Sequence, residues 1–226
     1  MGITKSFGTY AAPRIGRLAP DLTTKAVLEA LHHAIEGVGP LPPAARAAEK
    51  QLTEQHGNVE RAVHEVIENN VRLAGAQGFV TNIGGLVTAP ITLPANVTGL
   101  ALIQCRMIAG IAHLRGHDLS DPKVRNAILA CLLGEELVNP LIKRKKLPGT
   151  PMALATAPAY DAQLSTMLAG EVATFLISKV TGRRLVMVAT KRVPVVGGIV
   201  GAGADGYSTW RAGRYADREL LPRARR

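Results

Sequence analysis

The sequence predicts an all-α fold: a compact helical bundle built around two Gly/Pro-rich apolar helical hairpins. Three observations lead there. Apolar residues in the first third recur at steps of three and four, the period of a helix with one buried face. No stretch alternates apolar and polar residues long enough to build a sheet, and Leu185 to Thr190, LVMVAT, is the one ambiguous piece. From Leu73 to Cys105 no residue is charged, yet Pro90 and Pro94 interrupt the run.

DLTTKAVLEALHHAIEGVG, Asp21 to Gly39, sets Leu22, Val27, Leu31, Ile35 and Val38 at helical spacing, with Asp21 as N-cap and glycine after the last turn. A second helix is expected after Pro42 and Pro43, with Gly57 as its stop. In Asn58 to Gly75, Val59, Val63, Val66, Ile67 and Val71 share one face, while Glu60, Arg61, Glu65, Glu68 and Arg72 take the other. These are amphipathic helices of the ordinary kind.

The uncharged run that follows divides at its prolines into two arms, each shorter than the roughly 20 apolar residues needed to cross a bilayer. Its second arm continues as RMIAGIAHLRG, so a helix is predicted from Pro94 to Arg115, with Gly116 as terminator. On it Asn96, Gly99, Ile103, Arg106, Gly110 and His113 form one small or polar stripe, and the rest of the circumference is apolar. Such a stripe suits close approach by another backbone. Arg106 there needs a counter-charge, because an unpaired buried charge costs several kcal/mol. Glu171 and Asp205 each stand alone in an uncharged stretch, and at least one is expected beside Arg106.

Beyond, Asp121 before Pro122 reads as a helix cap, and NPLIKRKKLPGTPMALATAP as an exposed connection. The uncharged stretches around Glu171 and before Asp205 supply the second hairpin. The organisation expected is an arm over residues 1–20, one helical domain over 21–221 and a basic tail over 222–226. Cys105 and Cys131 lie in apolar surroundings and read as buried thiols of a reducing compartment. The first twenty residues lack the continuous apolar core of a secretory signal, so a cytoplasmic chain is expected.

A formal charge of +10 and a pI near 10.1 suit a polyanionic partner. Aromatics make up 4 % of the residues, too few to stack single-stranded nucleic acid, while duplex binding stays open. The cations cluster beside the apolar hairpins: the block Lys143, Arg144, Lys145, Lys146; the pair Lys191 and Arg192; and Arg211, Arg214, Arg218 near Trp210 and Tyr215. With Ile91 and Leu93 in the proline bend, these residues predict a non-enzymatic accessory or scaffold protein adhering to an anionic membrane surface from the cytoplasmic side. A second reading is a soluble basic helical protein that binds nucleic acid or a protein partner. Glycine-rich helix faces equally serve self-association into a homo-oligomer.

Motifs for chemistry are sparse. GAGADG, Gly201 to Gly206, matches a dinucleotide fingerprint in letters but lacks the preceding strand and the later acidic residue. HLRGHDLSD offers His113, His117, Asp118 and Asp121 for a third reading, a metal-dependent enzyme, although Gly116 separates the histidines and the H-E-x-x-H glutamate is missing. No nucleophile signature appears, and no cofactor, catalytic residue or metal site is assigned.

GFVTNIGGLVTAPITLPANVTGLALIQCRMIAGIAHLRGHDLSDPKVR and VPVVGGIVGAGADGYSTWRAGRYADREL, with the helices between them, resemble the EcsC family over residues 72–219. The family takes its name from a gene neighbouring an ABC transporter operon. The resemblance implies a helical, bacterial, membrane-associated protein with a transporter or another protein as partner; it brings no catalytic residues.

Overall fold

The computed structural model describes residues 20–83, 92–189 and 194–223, with side chains described for 23–76, 99–179 and 203–223. Nine helices and no strand occur among the described residues. They are α1 (Pro20–Glu36), α2 (Ala44–Glu54), α3 (Val59–Ile83), α4 (Thr92–Leu114), α5 (Pro122–Leu133), α6 (Glu135–Lys143), α7 (Pro151–Ala155), α8 (Ala162–Ala189) and α9 (Pro194–Glu219).

Local chemistry sets several of the boundaries. Gly37 ends α1 at φ 88°, where a Cβ would lie 2.8 Å from the Leu41 carbonyl oxygen, so no larger residue fits the turn. Gly116 closes α4 at φ 83°. Asp121 caps α5, its carboxylate accepting from the Lys123 backbone N–H at 2.9 Å, with Pro122 in the first turn.

Helix α4 occupies the middle of the bundle and packs on α1, α2, α3, α5, α8 and α9. Beside it α5 is buried continuously from Asn126 to Leu133, as expected of a helix enclosed on all sides. Helices α3 and α9 make the longest interface and run antiparallel, Gly213 lying on Ile67 and Gly206 on Val71.

The all-helical expectation holds among the described residues, but the apolar hairpins do not. No helix there is long and apolar enough to cross a membrane. Helix α3 does pack on α4, yet it keeps Glu60, Arg61 and Arg72 in solvent. Of the second expected hairpin, the described residues place α8 on α1 and α5 and α9 on α3 and α4, and its bend lies outside them. The physical reason is that the described end of the tract, from Leu100 to Cys105, is packed against neighbouring helices. Leu185 to Ala189 of the ambiguous piece is helical, within α8, and Thr190 lies outside the described residues.

Candidate functional site: a cationic cavity around Arg106

The stripe on α4 faces α2 and α3. At Gly110 a Cβ would meet Val66 Cγ1 at 3.3 Å and Ala48 Cβ at 3.5 Å, so the missing side chain lets three helices converge. One turn further on, His113 Nε2 donates to Glu49 Oε1 of α2 at 2.7 Å. One turn earlier, Arg106 lines a cavity of about 560 Å³ with Arg46, Lys50 and Gln51 of α2 and Asn69 and Asn70 of α3.

Arg106 is half-buried, and desolvation lowers its pKa from the ordinary guanidinium value. Among the described residues it takes part in no hydrogen bond or ion pair. No ion pair joining Arg106 to either expected carboxylate occurs among the described residues; Glu171 lies in a groove between α8 and α1, and Asp205 is buried on α9. Every charged residue lining the cavity is a cation. Lys50 is the best compensated, 3.6 Å from the exposed Glu54 carboxylate.

The amides are partly committed. Asn69 Nδ2 donates to Gln51 Oε1 at 3.3 Å, and Asn70 Nδ2 to the Val66 carbonyl at 2.8 Å. Their oxygens face no protein donor among the described residues and can accept hydroxyls. Arg46, Lys50, Asn69 and Asn70 were not singled out by the sequence. The adjacent asparagines, poor formers in the middle of a helix, were the one available signal.

The residues of HLRGHDLSD gather at a second cavity of about 790 Å³, where His113, His117, Asp118 and Asp121 stand with Lys123 and Arg223. Each is already engaged. His117 Nε2 donates to the Leu221 carbonyl at 3.0 Å, and Asp118 accepts from the Ser120 N–H at 2.9 Å and hydroxyl at 2.7 Å, which holds its carboxyl low. Among the described residues no three His, Cys, Asp or Glu side chains are placed to hold a metal ion, and the metal-enzyme reading falls with that. GAGADG lies inside helix α9, where no strand precedes it.

The membrane-adhesion surface is not assembled either. Arg211 Nη2 meets Glu136 at 2.8 Å, Arg218 Nη2 meets Glu135 at 2.8 Å, and Arg214 Nη1 meets Asp217 at 3.2 Å. Acidic residues of α6 and α9 thus occupy the cations meant for headgroups. Tyr215 is buried in the core at 4 % exposure, and only Trp210, stacked on Tyr207 at 6.0 Å, stays at the surface. Lys143, Arg144, Lys145 and Lys146 are exposed in the turn after α6. Ile91, Lys191 and Arg192, and the Leu93 side chain, lie outside the described residues.

A residue that the sequence reading passed over holds this end of the molecule together. Arg115, 7 % exposed, forks onto Glu60 of α3, with Nη2 at 2.9 Å, and onto Asp217 of α9 at 2.6 Å. Glu60 is held below the usual carboxylate range by that guanidinium. Cys105 and Cys131 are buried and unbridged, and burial pushes the Cys105 thiol up to about 12 and raises that of Cys131, which favours the protonated thiol at both.

A family model described as the EcsC protein family matches residues 9–223. The match takes in the N-terminal helices, which the resemblance over 72–219 does not reach. No curated protein and no solved structure matches the chain.

Proposed function

The chain belongs to the EcsC protein family, whose match includes every helix framing the Arg106 cavity, and we propose that it is a binding protein, without catalytic turnover, that holds an anionic ligand there. The observation carrying this reading is Arg106 itself: a half-buried guanidinium without a counter-ion among the described residues, at a cavity whose charged lining is entirely cationic. Leaving such a charge unpaired costs stability, and an incoming carboxylate or phosphate removes the cost through charge-assisted hydrogen bonds of about 1.5–3 kcal/mol. The net charge of +10 favours the encounter. The lining offers cations and amides but no hydroxyl, thiol or carboxylate, a set suited to holding a ligand rather than attacking it. The acceptor oxygens of Asn69 and Asn70 favour an acid that also carries hydroxyl groups.

Calorimetric titration of the full chain with citrate and with inorganic phosphate tests the reading, glycerol being the neutral control. Binding of at least one anion is expected, with Arg106→Gln weakening it by about tenfold or more. Equal affinity in the variant, or no heat from either anion, would sink it.

A further inference from the structure

A groove of about 1060 Å³ lies between α1 and α8, and Glu171 is the charged residue in it. Among the described residues Glu171 has no hydrogen-bond or ion-pair partner. Three hydroxyls of α8 in or beside the lining have spent their protons. Thr166 Oγ1 donates to the Ala162 carbonyl at 3.3 Å, Thr174 Oγ1 to the Gly170 carbonyl at 2.9 Å, and Ser178 Oγ to the Phe175 carbonyl at 2.7 Å. A hydroxyl carries one proton, so each of these oxygens presents only lone pairs outward. Gln163, at one end, is the side chain of α8 in the lining that still offers both donor and acceptor. Met167, Ala173 and Ile177 make the remaining wall apolar. Lys179, the nearest cation along α8, stands over the Phe175 ring at 4.1 Å and is not part of the lining.

Acceptors, one carboxylate and an aliphatic wall define a complement: a group with several N–H donors, a positive charge and a short hydrocarbon chain. We propose that this groove binds a primary alkylammonium, with the ammonium on Glu171 and the chain along Met167 and Ile177. The three N–H donors of the ammonium match the carboxylate and the hydroxyl oxygens of α8. The chain buries apolar surface on the thioether and the branched side chain. The excess positive charge elsewhere opposes cation binding, but at physiological ionic strength charges beyond a Debye length of about 8 Å are largely screened.

The test is titration of the ¹⁵N-labelled full chain with n-hexylammonium chloride, n-hexanol and n-hexyltrimethylammonium chloride. Saturable shifts confined to α1 and α8 are expected for the primary ammonium, with affinity about tenfold or more above that of the alcohol. The trimethylated cation, which keeps the charge but has no N–H, should bind more weakly than the primary one. Glu171→Gln should lower hexylammonium affinity by about tenfold, and Thr174→Val, at an exposed position, should lower it by a smaller factor. Equal binding of alcohol and ammonium, an unchanged affinity in Glu171→Gln, or no shifts in α1 and α8 would each overturn the proposal. Should Glu171→Gln fail to fold, an unaltered affinity in Thr174→Val overturns it instead.

Discussion

Arg106 and Arg115 sit at the middle and the end of one helical run and could hardly differ more in circumstance. Arg115 is enclosed and doubly paired, so removing it would leave Asp217 only the exposed Arg214 and loosen α3 from α9. Arg115→Gln should lower the unfolding free energy by about 3 kcal/mol, read from urea denaturation at neutral pH. Among the described residues Arg106 forms no such pair, and there is an identifiable reason why sequence alone does not supply its partner. Glu171 and Asp205 were chosen because each is isolated along the chain, but isolation in sequence says nothing about which helix faces which. The opposite error hid the real pairs: Glu135 and Glu136 lie 83 and 75 positions from Arg218 and Arg211, a separation no local spacing reveals.

Glycines decide how closely the helices approach. A Cβ on Gly213 would stand 3.0 Å from both Ile67 Cγ1 and Met107 Sδ, at the junction of α3, α4 and α9, whereas one on Gly203 meets nothing within 4 Å. Gly213→Ala should therefore destabilise by about 1–3 kcal/mol through overpacking, while Gly203→Ala should stabilise by up to about 1 kcal/mol through helix propensity. Thermal unfolding of the two variants separates them. Elements of this kind were the legible part of the molecule. The helix predicted from Pro94 to Arg115 is observed as Thr92–Leu114, and Asp121, Gly57 and Gly116 act where their chemistry placed them. What stayed hidden was which faces meet. Sequence cannot show that α2 and α9 pack on α4, nor that α8 lies on α1 and α5 while α9 lies on α3.

For the molecule as a whole, the response to acid follows from a single ring. Burial holds His117 neutral and lowers its pKa from the usual value of about 6.5. Folded His117 refuses a proton that the unfolded chain accepts, so the stability it contributes is complete above about pH 6.5 and declines as the pH falls toward the lowered folded value. A second decline belongs below about pH 4.5, where Glu60 and Asp118, both held low by their partners, must be protonated. Urea midpoints measured from about pH 8 down to about pH 5 should fall in the wild type and stay flatter in His117→Asn, whose amide can still donate to the Leu221 carbonyl. Equal slopes would assign the acid sensitivity to other groups.

The antiparallel seam between α3 and α9 also has a consequence during biosynthesis. The ribosome delivers α3 about a hundred residues or more before its main neighbour, so the nascent chain must wait with Ile67 and Val71 uncovered by α9 until that helix emerges. Completion of this bundle therefore waits on α9, and the interval before it is when the chain has most to gain from a chaperone.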